Sequence, residues 1–66
     1  MRISDLRERL ALSFGQEWAH SFCKDIAISE LGSKTVDEAL ASGIEAADIW
    51  RAVCNSHPTE TFAHKY

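Results

Sequence analysis

Three glycines and one proline divide this chain more firmly than any other feature. Gly15, Gly32, Gly43 and Pro58 each fall where a run of helix-periodic apolar residues stops. Glycine is the residue that closes helices in a left-handed backbone, and proline cannot continue one. The segments between them have the length of short helices, and none alternates as a strand would. The fold class follows: all-α, a compact bundle of three to four short helices, with the last two forming a helix-turn-helix-like hairpin. One helical domain is expected over residues 1–57, with a mobile tail at 58–66.

Ser4 is placed to cap a first helix, with Asp5 in its first turn, where a negative charge suits the helix dipole. Ile3, Leu6, Leu10 and Phe14 share its apolar face, and Leu12 lies opposite. A second helix is expected from about Gln16 to Leu31. Trp18, Phe22 and Ile26 make one stripe there, while Ile28 and Leu31 fall on another side. A helix apolar on two sides is usually packed between others, which places this one centrally. Thr35 and Glu38 then have the spacing of a capping box. Val36, Ala39 and Leu40 give a short helix its buried side, and Gly43 stops it. The final helix, from about Glu45 to Ser56, buries Ala46, Ile49, Trp50, Val53 and Cys54 and points Asp48, Arg51 and Asn55 outward. The tail shows no periodicity, and Phe62 is its one candidate for docking.

Size and charge bound the function. A chain of 66 residues makes one domain and buries only about 60% of its unfolded surface. Seven basic against ten acidic residues give a net charge of −3, which disfavours non-specific nucleic-acid binding. No apolar run is long enough to span a bilayer. The amino-terminal MRISDLRERL is not a secretory signal. A cytoplasmic location is therefore expected, with Cys23 and Cys54 as free thiols.

Phe14-Gly15, Trp18-Ala19, Asp25, Glu30-Leu31-Gly32, Thr35-Val36, Glu38-Ala39-Leu40, Gly43 and Trp50-Arg51-Ala52-Val53-Cys54 together resemble a family of small actinobacterial proteins catalogued as domain of unknown function 3046. The likeness runs from Met1 to about Pro58 and departs from the family pattern at His20, Phe22 and Cys23. It implies a compact helical cytoplasmic protein, and an association with genes of DNA recombination. It carries over no catalytic residue.

Four kinds of chemistry compete. The hairpin Thr35–Cys54 has the alanine–glycine spacing of a DNA-reading motif at Ala39 and Gly43. Its second helix nevertheless opens with Glu45, Ala46, Ala47 and Asp48, and Arg51 is its one basic residue against four acids in the hairpin. Base reading draws on Arg, Lys, Asn or Gln. The pairs His20-x-x-Cys23 and Cys54-x-x-His57 would form a Cys2His2 zinc set only if their helices met there. Buried small hydrophobes are the plainer reading of these cysteines, and no metal or cofactor is expected. No phosphate loop, nucleophile elbow or metalloprotease motif is present, and no enzyme is expected. Surplus apolar positions remain as interaction candidates: Leu12, Ile28 and Leu31, joined by Arg51, a residue type enriched at hot spots. The leading expectation is a non-enzymatic protein-interaction or regulatory module, binding a protein partner or a second copy. A DNA-binding helix-turn-helix protein is the alternative.

Overall fold

The sharpest turn in the chain sits at Gly15. In the computed structural model, which describes residues 1–64, helix α1 (Ile3–Phe14) and helix α2 (Gln16–Asp25) are joined by this residue alone. Gly15 has φ +82° and ψ 149°, a region essentially confined to glycine. Its N–H donates to the Ala11 carbonyl and its own carbonyl accepts from the Ala19 N–H, both at 2.8 Å. One residue therefore closes α1 and opens α2. The two helices fold back on each other, and Phe14 stacks on Phe22 with ring centroids 4.5 Å apart and planes 17° from parallel.

Helix α2 ends at Asp25, earlier than the sequence pattern implies. Ile26 is already extended, and Ile28 pairs with Lys34 in an isolated antiparallel bridge whose Ile28 N–H reaches the Lys34 carbonyl at 2.9 Å. A 3-10 turn at Ser29–Leu31 fills the loop between them, and Gly32 and Ser33 close it with positive φ. Packing explains the difference. Ile28 and Leu31 lie on a different side of an ideal helix from Phe22, so a continuous helix would leave one set outside. Breaking the helix lets both enter the core, where they are 1% and 7% exposed.

Helix α3 (Val36–Ala41) opens on the expected capping box. The Thr35 N–H donates to Glu38 Oε1 at 2.9 Å and the Glu38 N–H to Thr35 Oγ1 at 3.2 Å. Such caps contribute about 1 kcal/mol, and a helix this short needs one. Helix α4 (Ala46–Ser56) supplies the largest share of the core through Ala46, Ile49, Trp50, Ala52, Val53 and Cys54. It rests on α1, where the Arg9 guanidinium lies 5.9 Å from the centre of a Trp50 ring. Helix α1, more than α2, ties the fold together: it packs against α2, α4, α5 (Pro58–Thr61) and the 3-10 turn at Phe62–His64.

The segment read as a tail is a second correction. Pro58 does stop α4, but it also occupies the first turn of α5, the helical position proline tolerates best. The Thr61 hydroxyl donates to the His57 carbonyl at 2.9 Å, which lets Thr61 sit in the core at 1% exposure. Phe62 does not dock and is 81% exposed. Lys65 and Tyr66, the end of the expected tail, lie outside the described residues. Ile3 and Trp18, both assigned to apolar stripes, are also exposed. The stripe of α2 that faces the core is Ala19, Phe22 and Cys23. The all-α expectation holds, although α5 follows the hairpin. Among the described residues no helix is long and apolar enough to cross a membrane.

An added Cβ at Gly15 would meet nothing within 4 Å, so a side chain there is penalised by backbone conformation alone. Gly15→Ala should lower stability in urea unfolding by about 1–3 kcal/mol. A loss no greater than that of an exposed mid-helix substitution would show that the corner is unstrained.

Candidate functional site

The α3–α4 turn builds one wall of an apolar groove. Ser42 caps α3, Gly43 takes φ +87°, and two bonds close the end: the Gly43 N–H to the Leu40 carbonyl and the Ile44 N–H to the Ala39 carbonyl, each 3.1 Å. This is the Schellman arrangement. It turns Leu40 and Ile44 to the edge of the core, where they are only partly buried. Glu45, extended, then starts α4 by accepting the Asp48 and Ile49 N–H groups on its carbonyl at 3.0 and 3.1 Å. Ala46 is buried beside it. The first turn of α1 supplies the other wall, with Met1 47% and Ile3 56% exposed. Met1, Ile3, Leu40, Gly43, Ile44, Glu45 and Ala46 line an open recess of about 420 Å³. Exposed aliphatic side chains beside a recess lined by further ones are what a binding surface for apolar groups requires.

A polar cleft of about 300 Å³ opens between α1, α2 and α3, lined by Arg7, Gln16, His20, Cys23 and Asp37 among others. Arg7 Nη2 lies 2.9 Å from Asp37 Oδ1. That oxygen has no aligned hydrogen-bond donor, so the contact is an ionic one. Burial works against the Arg7 charge, but Asp37 and the Cys23 thiol outweigh it and leave the guanidinium above its usual pKa. Burial pushes the Cys23 thiol up, and the opposing pull of Arg7 does not cancel this. Cys23 is therefore a protonated thiol at neutral pH, without the thiolate character of a nucleophile.

The residues proposed for zinc are not assembled. Cys23 and Cys54 are both buried and unpaired. His20 stands in the cleft with Cys23, whereas the His57 ring packs edge-on against Phe14 and Phe22, with centroids 5.7 and 5.0 Å away. Among the described residues no group of three or more His, Cys, Asp and Glu is arranged to hold a metal ion.

The four interaction candidates separate. Ile28 and Leu31 belong to the core and present no surface. Leu12 is 59% exposed on the side of α1 away from its buried face. Arg51 is exposed but held by Asp48, Nη2 to Oδ1 at 2.8 Å. None of the four lines the groove. Of the residues that do, Ile3, Leu40 and Ala46 were assigned to helix stripes and Gly43 to a turn. The signal that separates Ile3 from Leu6 and Leu10 is its place in the first turn, beyond the reach of the opposing helices.

A profile of the family described as "Protein of unknown function (DUF3046)" matches residues 1–59, and the chain belongs to that family. No curated protein and no solved structure matches it. The matched segment contains every residue of the groove and of the cleft.

The cleft thiol has a measurable consequence. Its proton is held more tightly in the folded chain than at the ordinary value of 9.0. The stability it contributes is thus complete below about pH 9 and lost as pH rises towards the folded value. The gap in melting temperature between the parent protein and Cys23→Ala should stay constant from pH 6 to about pH 9 and narrow above it. A gap that widened with pH would reverse the assignment.

Proposed function

We propose that this family member is a non-enzymatic interaction module that docks a protein partner in the groove between the first turn of α1 and the α3–α4 turn. The observation that carries the reading is Ile3, an aliphatic side chain 56% exposed and standing over a recess walled by Leu40 and Ile44. Fully burying such a side chain contributes roughly 1.5–3 kcal/mol, of which Ile3 forgoes about half, and a docked partner recovers it. The polar cleft gives less support to catalysis. Its thiol is protonated, and its arginine and aspartate neutralise each other. A cytoplasmic location accords with two unpaired cysteines.

Duplex DNA is the weaker reading. The hairpin has two helices joined by a short turn, which is the outline such a motif needs. Its second helix begins Glu45, Ala46, Ala47, Asp48, with Ala46 buried and Arg51 engaged by Asp48. Nothing there offers a free cation to phosphate or base edge.

Two measurements test this. A photo-crosslinking residue at position 3 should capture a protein in the native cell, and the same residue at position 12, equally exposed but off the groove, should not. Adducts at both positions alike, or at neither, would remove the groove from the account. Binding to duplex DNA should be weak, with affinity changing little across a salt series. Tight binding that falls steeply with salt would restore the DNA reading.

A further inference from the structure

We infer that the groove takes a partner segment in which a large apolar side chain stands within one helical turn of a lysine or arginine. The inference rests on the docking reading above and adds the chemistry of the occupant.

Size comes first. A stable dimer needs about 800 Å² from each partner, about a fifth of the 4243 Å² surface of this chain. The groove is lined by five apolar side chains, of which Ala46 is buried and Leu40 and Ile44 are already partly covered. That surface is too small to be the core of an interface between two copies, and it suits one or two side chains of a short segment.

Charge supplies the second half. The α3–α4 hairpin carries four carboxylates, and three are engaged. Asp37 meets Arg7 at 2.9 Å, Asp48 meets Arg51 at 2.8 Å, and Glu38 accepts the Thr35 N–H at 2.9 Å. Glu45 is the fourth. It lines the groove, is exposed, and has no side-chain partner among the described residues. The nearest basic residue in sequence to the α1 wall, Arg2, is not part of the lining. A purely apolar occupant would cover Glu45 and strip its water without replacement, which is costly for an ionised group. An acidic occupant would add repulsion. A segment that sets a lysine or arginine against Glu45 replaces that water with a charge-assisted hydrogen bond while its apolar side chain fills the recess. The groove thereby selects for basic–apolar segments and against acidic ones.

A displayed library of random linear peptides, panned on the full chain and in parallel on Ile3→Glu and Glu45→Lys, tests this. Both sites are exposed, and circular dichroism of each variant is the control that the helical fold is kept. Peptides recovered on the parent protein should carry Leu, Ile, Phe or Trp within about four positions of Lys or Arg. Their recovery should drop about tenfold or more on Ile3→Glu, and Glu45→Lys should shift the preference to Asp or Glu. Recovery that depends on Ile3 but shows no basic preference, or that Glu45→Lys leaves unchanged, overturns this inference and leaves the docking reading standing. No Ile3-dependent recovery overturns both. Self-association in sedimentation, abolished by Ile3→Glu, would name a second copy as the occupant and likewise overturn it.

Discussion

The contact on which the rest of this structure depends is the meeting of Phe14, Phe22 and His57. Two helix junctions consist of one residue each: Gly15 between α1 and α2, and His57 between α4 and α5. Phe14 and Phe22 stack across the first. The imidazole of the second packs edge-on against both rings. Edge-to-face aromatic pairs add about 0.5–1.5 kcal/mol beyond the area they bury. Their larger role here is geometric, because they fix where the carboxyl-terminal half lands on the amino-terminal half. Once the two corners meet, α4 is laid along α1 and Trp50 comes beneath Arg9. The His57 carbonyl is then in place to receive the Thr61 hydroxyl.

What was legible in the sequence was legible because it is local. The capping box of Thr35 and Glu38 and the turn at Gly43 both involve residues within five positions of each other. Local spacing is enough to specify them. The stretch from Ile26 to Leu31 was not legible. Periodicity alone favours a longer helix there, and only the competing demand to bury Ile28 and Leu31 breaks it. Pro58 shows a related ambiguity, since the same residue ends one helix and begins the next. The candidate site was the least legible part. Helical periodicity assigns Ile3 to the buried face of α1, but it does not say whether any element covers that face at the level of the first turn. Ile3 is available for binding because none does. Leu12, chosen because it breaks the periodic pattern, is exposed but does not line the groove.

The hairpin therefore has two duties divided along its length. Val36, Ala39, Ile49 and Val53 close the core and are fully or almost fully buried. Leu40, Ile44 and Glu45, grouped at the turn, stay at the rim. Gly43 links the two duties. The backbone it permits satisfies the last carbonyls of α3 and so lets a turn carry aliphatic residues to the surface with few exposed polar backbone groups between them. The four carboxylates follow the same division. Three are spent on holding the hairpin to itself or to α1, and the one at the turn is left to face outward.

The single-residue corners also keep most contacts between neighbouring helices. Each helix packs against its sequence neighbour: α1 on α2, α2 on α3, α3 on α4, α4 on α5. The contacts that span the chain are those of α1 with α4, α5 and the terminal turn. Chains dominated by neighbouring contacts close small loops and fold within about microseconds to milliseconds. Here the long-range closure runs through α1, whose first turn also borders the groove. The long-range contacts thus gather on the very helix that keeps its apolar end uncovered. Rapid closure limits the time for which the remaining apolar surface is exposed together with it, and it is such lingering exposure that leads chains to aggregate. The aliphatic side chains at the start of α1 stay uncovered on the same helix that gathers the long-range contacts of the chain.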